Sequence, residues 1–378
     1  MLTIQACDSR IAGNNSLKLI DSTVFKTEMS FLNADMGLYQ DNEGGEDWVY
    51  FVNYQTAKKI KFYSLSGELI QEVPLDTLMQ KVSVVSNIAV ISTDSIVAIG
   101  EYTNQVYLLR KDGAIEKQVD LNEKLQFADG SVYELAASPS FMSPDKSIFL
   151  QMEWTSYKRD TVEQQPTVGY YQYLYSNNWK HPYLLKIEDV FSEKLVHQTG
   201  LNLNQIVSPI DSTVFFLQFA YYLPLDNKVL VPVIHSDTIY ELNSEDLTIK
   251  SKYPIESKYT AIGVDVVSID ENSLFDNQVM NKLNSQGWVS AMKYNPYRQE
   301  YYVVINREGP PDFYKRHGFR PWILQIYNHE FKLLKEQLFE DNVFVPNILP
   351  STKGVMIQKK HPIVKYQNQK AIFYEFEY

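Results

Sequence analysis

The sequence predicts an all-β protein: a six-bladed β-propeller of four-stranded antiparallel blades, its ring closed by an N-terminal strand that completes the C-terminal blade. Three observations carry that prediction: an internal repeat, a strand-forming composition, and a last repeat that ends one strand short. Ile60 to Leu75 reads IKFYSLSGELIQEVPL and Val106 to Leu121 reads VYLLRKDGAIEKQVDL, a gapless match at a spacing of 46 residues. Ser66-Gly67 falls on Asp112-Gly113, and glycine there permits the positive φ that a tight hairpin needs. Aromatic residues make up 13% of the 378, with 27 Tyr and 19 Phe, and the apolar segments are rich in Val, Ile, Tyr and Phe. Such side chains suit a pleated, half-buried surface. A single core stops growing at roughly 250–300 residues, so a chain of this length must divide or repeat.

Each matched segment is a strand, a turn and a strand. Trp48 to Tyr54 and Ile96 to Tyr102 supply the apolar run in front of each, giving a three-stranded meander that a further inner strand can precede. Looser copies follow. Ser147 to Trp154 is expected to pair with Tyr183 to Val190 and Leu195 to Leu201, and Lys228 to His235 with Thr238 to Asn243 and Thr248 to Ile255. Tyr301 to Arg307 is expected to pair with Pro321 to Asn328 and Lys332 to Phe339, and Gly354 to Lys359 with Lys370 to Tyr378. The sixth unit then lacks a fourth strand, which Ser16 to Lys26 can supply, removing an unpaired edge. Residues 1–15 are read as a signal remnant and tether, and 16–378 as one propeller domain. One hexapeptide, IDSTVF, occurs twice, at Ile20 to Phe25 and Ile210 to Phe215, once in the closing outer strand and once near an inner strand.

Charge narrows the partners. Lys and Arg total 35 against 46 Asp and Glu, a net charge of −11, the wrong sign for a protein that neutralises phosphate backbones. Nucleic acid is excluded on that ground. No run reaches the roughly 18 apolar residues of a membrane helix.

The strand-turn-strand repeat with its Ser-Gly or Asp-Gly turn, the SPDKS segment at Ser143 to Ser147 and the closing last unit resemble propellers of the TolB-like and NHL-like kind. The aromatic-rich, acidic chain with a near-terminal cysteine is similar, more narrowly, to uncharacterised bacterial cell-envelope lipoproteins with such propellers. The resemblance implies a fold and an envelope location and carries over no catalytic residue.

Cys7 is the sole cysteine, so no intrachain disulfide can form. Its context, LTIQACDS, resembles the end of a bacterial lipoprotein signal, and DSRIAGNN after it reads as a tether; Cys7 is the candidate lipidation site. The competing reading is a terminal segment with an incidental cysteine.

Motifs for catalysis are few. There is no G-x-S-x-G turn, and the six histidines form no H-x-H or H-E-x-x-H pair. DNEGGED at Asp41 to Asp47 lacks the alternating ligands and distal Glu of a calcium loop. No phosphate-cradling glycine loop occurs, and no metal or cofactor is expected.

The positions of the insertions are more informative. In a four-stranded blade, the loop between second and third strands opens on the same face as the connections between blades. Three long segments would rise there: Thr155 to Pro182, Glu308 to Arg320, and Glu256 to Gly287, whose Asn272 to Asn284 could form a short helix. The candidate ligand-binding residues are Trp154, Tyr157, Arg159, Trp179, His181, Arg307, Arg320 and Trp322. Aromatic rings stack on apolar faces of sugars and peptides, while guanidinium forks hold oxygens. The alternative is that these rings pack on one another and cover the sheet edges. The leading functional reading is a monomeric, non-enzymatic module on the bacterial envelope that binds a glycan, peptide or protein. Two alternatives remain open: a carbohydrate lyase, hydrolase or lactonase working through channel carboxylates, with Glu134, Asp145 and Glu153 as candidates, or a cytosolic protein-interaction scaffold.

Overall fold

The computed structural model describes residues 17–27, 36–40, 46–53, 58–82, 85–92, 94–100, 105–121, 131–135, 141–142, 148–157, 182–192, 198–202, 214–215, 223–225, 228–232, 236–263, 267–268, 286–309, 320–340, 343–360 and 370–378. In chain order, β1 (Lys18–Phe25) precedes a first repeat of β2 (Met36–Tyr39), β3 (Trp48–Asn53), β4 (Lys59–Ser64) and β5 (Leu69–Pro74). A one-turn helix, α1 (Asp76–Met79), leads to β6 (Val85–Ser92), β7 (Ser95–Gly100), β8 (Gln105–Leu109) and β9 (Ile115–Asp120). The third repeat holds β10 (Ser131–Leu135), β11 (Phe141–Met142), β12 (Ile148–Tyr157), β13 (Pro182–Ile187) and β14 (Gln198–Asn202). After β15 (Val214–Phe215) come β16 (Leu223–Leu225), β17 (Lys228–Pro232), β18 (Thr238–Asn243) and β19 (Ile249–Pro254). Then β20 (Val267–Ser268) precedes β21 (Trp288–Asn295), β22 (Glu300–Asn306), β23 (Trp322–Tyr327) and β24 (Leu333–Phe339), and the chain finishes with β25 (Phe344–Pro350), β26 (Gly354–Lys359) and β27 (Ala371–Glu377).

These strands build a β-propeller with five four-stranded blades, ordered β2-β3-β4-β5, β6-β7-β8-β9, β16-β17-β18-β19, β21-β22-β23-β24 and β1-β27-β26-β25. The expectation of six four-stranded blades is thereby corrected. The third repeat forms a five-stranded sheet instead, in which β10 and β11 both pair with β12 along different stretches and β13 and β14 follow. β10 runs beside Met152 to Tyr157 and β11 beside Ile148 and Phe149, so two separate strands stand where a four-stranded blade has one. In the last blade β1 lies antiparallel to β27, from Lys18 opposite Glu377 to Phe25 opposite Ala371, so the two chain ends share one sheet. First strands of successive repeats touch: β2 with β6, β6 with β11, β16 with β21, β21 with β25, and β25 with β2.

The cores lie between sheets, which explains why inner strands are apolar without alternation. Every residue of WILQIY in β23 is buried, as are the first six of β22. Between the last and first blades, Phe25, Phe51, Tyr63 and Phe373 interlock, with Phe25 5.1 Å from Phe51 and edge-on to Tyr63 and Phe373. Between the first and second, Ile60, Phe62, Val73 and Leu75 pack against Ile88, Ile96, Ala98 and Tyr107. Outer strands face solvent on one side, and β5 and β24 begin on exposed pairs, Leu69-Ile70 and Leu333-Leu334.

The turns between third and fourth strands each hold one residue in the left-handed region. Gly67 (φ 89°), Gly113 (φ 77°) and Phe331 (φ 58°) each donate their N–H to the carbonyl three residues back, Ser64, Arg110 or Asn328, while Leu247 (φ 56°), in a turn one residue longer, donates to Asn243 O four residues back. Three of these residues rest on the outer strand of the preceding blade. A Cβ on Gly67 would stand 2.8 Å from Val24 O and one on Gly113 2.1 Å from Pro74 O, while the Phe331 ring stacks on Tyr253 at 4.2 Å. Phe331 offsets an unfavourable backbone by packing its ring between blades, and Leu247 by burying its side chain.

The two copies of IDSTVF adopt different roles. Ile20 to Phe25 runs within β1, whereas Val214–Phe215 forms β15, a two-residue strand paired with β20 outside the blades. β15 and β20 belong to the connections that enter the fourth and fifth repeats, so these connections are joined to each other.

Candidate functional site

Antiparallel meanders put loops between second and third strands, and the connections between sheets, at one end of every blade. At that end of the blade β21-β22-β23-β24, built by the fifth repeat and called the fifth blade, two insertions have narrow necks. Residues 308–320 leave and rejoin the sheet where the Arg307 N–H donates to Pro321 O at 3.0 Å. Residues 264–286 are pinched by a parallel bridge between Ile262 and Gly287, with Gly287 N to Ala261 O at 2.8 Å and Gly263 N to Gly287 O at 3.0 Å. Gly287 has no room for a Cβ, which would lie 2.6 Å from Thr260 Cγ2.

One polar chain ties these necks together. The Thr260 hydroxyl donates to the Glu308 carboxylate, Arg307 Nε donates to Glu308 Oε1 at 3.1 Å, and Arg307 Nη1 donates to Glu340 Oε1 at 3.2 Å. Thr260 belongs to the connection entering the fifth blade, Arg307 and Glu308 to the neck of its loop, and Glu340 to the connection leaving it. Burial opposes the Glu308 charge. Hydrogen bonds from Thr260, from its own backbone N–H and from Arg307 outweigh that and hold its carboxyl below the usual carboxylate range. Lys258 lies over the Tyr259 ring, 4.8 Å from its centre, beside the same neck.

The sequence-flagged residues fall unevenly. Arg307 is in the polar chain; Arg320, at the other end of the same neck, is buried. Trp322 is buried within β23, its ring stacked on Phe339 at 4.1 Å and its Nε1–H donating to Phe344 O at 3.2 Å, so its indole joins adjacent blades. Trp154 and Tyr157 lie on β12, which extends past the expected end at Trp154 and pairs Trp154 with Glu134 and Tyr157 with Ser131. Arg159, Trp179, His181, Cys7, Asp145 and the segment Asn272 to Asn284 lie outside the described residues. Thr260, Glu308 and Glu340 went unflagged, since nothing local marks a threonine and two glutamates that meet only through the fold.

The opposite end carries a second polar cluster, also missed. Asn295, fully buried, donates to the Tyr302 hydroxyl at 2.6 Å, to Ser351 O at 2.9 Å and to Gly354 O at 3.1 Å. The Tyr378 hydroxyl donates to Glu300, which also receives Arg298 Nε at 2.9 Å, and the Arg298 guanidinium sits over the Tyr378 ring. Tyr297 donates to Asp47, joining the fifth and first blades past the last one. Burial pushes the phenol of Tyr302 up to about 12 and those of Tyr297 and Tyr378 further, so all three stay protonated at neutral pH. This cluster is suited to locking the turns of three blades together. Among the described residues, no three His, Cys, Asp or Glu side chains gather as metal ligands would.

No family model matches the chain, and no curated protein matches it. Solved structures do. The chain is similar to a member of the DUF4221 family from Bacteroides vulgatus, with a TM-score of 0.70 at 14% identity, covering 96% of this chain and 98% of that one. It is also similar to a putative exported protein from Bacteroides fragilis, with a TM-score of 0.52 at 10% identity over 97% and 98% of the two chains. Fold and comparisons together define the class as β-propeller, with these two Bacteroides proteins among its solved neighbours.

Proposed function

We propose that this chain is a non-enzymatic propeller of the bacterial envelope that binds a glycan, peptide or protein through the face bearing its long insertions. The observation that carries the reading is the polar chain Thr260–Glu308–Arg307–Glu340, which holds the bases of two insertions and the next connection in one arrangement. Connections in compact domains are usually about 2–6 residues long, and much longer ones are commonly binding loops set on a rigid scaffold. Phe313 to Arg316 in the 308–320 insertion, with Trp179 and His181 in the separate 155–182 segment expected on the same face, are the aromatic and basic chemistry such loops would use. Similarity to a putative exported protein supports a place outside the cytoplasm, and the context of Cys7 supports a lipid anchor.

The test is an array of bacterial-surface and host glycans and of peptides, probed with three proteins. They are the wild type, a loop-face variant (Tyr157→Ala with Trp179→Ala) and an opposite-face variant (Lys353→Ala with Glu375→Ala, an exposed lysine and its partner). Arg320 is left unchanged because it is buried. The proposal expects a ligand held by the wild type and the opposite-face variant but lost by the loop-face variant, with thermal unfolding unchanged. Binding that survives in the loop-face variant, or turnover of an arrayed glycan, would overturn it.

A further inference from the structure

We infer that Arg307 is the anchor for a carboxylate group of the ligand, and that Glu340 is a built-in competitor occupying that position until the ligand displaces it. The inference rests on the reading of the insertion face as the binding face and names the chemistry it selects. The two carboxylates on Arg307 are unequal. Glu308 is 35% exposed and held from behind by Thr260, so it fixes the guanidinium plane through Nε. Glu340 is 69% exposed and reaches only Nη1, at 3.2 Å. A pair that open to water contributes about 0–1 kcal/mol and exchanges readily.

Arg307 itself is 30% exposed. Its fork carries five N–H donors, and among the described residues only Nε and Nη1 are engaged. When Glu340 swings away, the Nη1–Nη2 edge presents the two parallel donors that a carboxylate accepts. Charge favours this group over phosphate. Replacing Glu340 by one ligand carboxylate leaves the local balance unchanged beside the negative Glu308, whereas a phosphate dianion would add a further negative charge. The position is also apt, because Arg307 stands at the neck of residues 308–320 and is linked through Glu308 to the neck of residues 264–286. A ligand whose carboxylate reached Arg307 would sit at the bases of both insertions.

The test titrates the full chain with propionate, a single carboxylate, and, separately, with inorganic phosphate, following the arginine side-chain Nε–H signals in a nitrogen-labelled sample. Arg307→Lys, which keeps the charge and removes the fork, identifies the Arg307 signal. Propionate should shift that signal saturably, and Glu340→Gln should tighten the apparent affinity about two- to fivefold, the worth of a surface pair. Glu308→Gln should not tighten it, and phosphate at equal concentration should leave the signal in place. Unchanged or weaker affinity in Glu340→Gln, no shift of the Arg307 signal, or an equal response to phosphate would each overturn the inference. An arrayed ligand that depends on Tyr157 and Trp179 but survives Arg307→Lys would leave the binding face standing and remove only the anchor. Loss of dependence on all three would remove both.

Discussion

The left-handed residue in the turn between third and fourth strands makes an inverted prediction. Phe331 has φ 58° and a half-buried ring that stacks on Tyr253 at 4.2 Å, on Tyr301 at 4.5 Å and lies 5.8 Å from Tyr327. Full burial of a Phe side chain is worth about 1.5–3 kcal/mol, and each good ring contact adds about 0.5–1.5 kcal/mol. Phe331→Ala should therefore cost about 2–4 kcal/mol, because alanine loses the ring yet keeps a Cβ in a backbone region that disfavours one. Phe331→Gly loses the same ring but also removes the left-handed penalty of about 1–2 kcal/mol. Glycine should thus be more stable than alanine at this position by about 1 kcal/mol, whereas in ordinary strand or helix interiors it is less stable by a similar amount. Equilibrium urea unfolding of the wild type and both variants measures the order. Leu247, with φ 56° and its side chain buried, should show the same inversion, with larger absolute losses. An alanine variant more stable than its glycine counterpart at Phe331 would refute the left-handed turn conformation and the packing argument built on it.

Other outcomes follow from the same contacts. Gly113→Ala should destabilise by more than the strain of its φ of 77° alone, since the added Cβ would meet Pro74 O at 2.1 Å; a midpoint within experimental error of wild type in thermal unfolding would contradict that packing. Asn295→Ala takes a buried donor from the Ser351 carbonyl, although Gly354 O keeps the Ser351 N–H and the Tyr302 hydroxyl, and should cost about 1–3 kcal/mol, read by urea unfolding, while exposed Lys111→Ala should change stability by less than about 0.5 kcal/mol. Alkaline stability should fall in a defined window. Burial pushes Tyr63, Tyr253, Tyr301 and Tyr302 up to about 12 from an ordinary 10.0, so between those values the unfolded chain releases phenolic protons that the folded one retains. Their contribution is whole below pH 10 and is lost as pH rises towards about 12. Phenolate absorbance should therefore rise together with loss of the β-sheet circular dichroism signal; full ionisation of these tyrosines near pH 10 with the fold intact would contradict it.

Much of the blade pattern was legible in the sequence because both faces of the inner strands are buried, so segments such as YYVVIN and WILQIY stand out as continuous apolar runs. The match between the first two repeats was visible through Gly67 and Gly113, whose positive φ requires glycine. The turns at Leu247 and Phe331 carry no such mark, since side-chain burial offsets their backbone strain, for Phe331 against the neighbouring blade. The number of four-stranded blades was overestimated because the third repeat has enough apolar segments for a blade, yet two separate strands, β10 and β11, lie along β12. Two-residue strands such as β15 and β20 are too short to show any period, so the second IDSTVF was read beside a blade strand rather than in a link between connections. Arg307 was recognisable as a basic residue at a loop base. Its partner Glu340, and Thr260 on the Glu308 carboxylate, are distant in sequence and needed the antiparallel topology to bring them to the same end of the blade. Trp322 was flagged for its chemistry, but every position of its strand is buried, and its indole is part of the core.

The most direct test of the binding face is hydrogen exchange on the full chain with and without a ligand recovered from the array. The account predicts slowed exchange in residues 256–263 and 300–309, around the necks held by Thr260, Glu308 and Arg307, with no change in residues 295–299 and 350–354 at the opposite end. Protection confined to those opposite turns would contradict it.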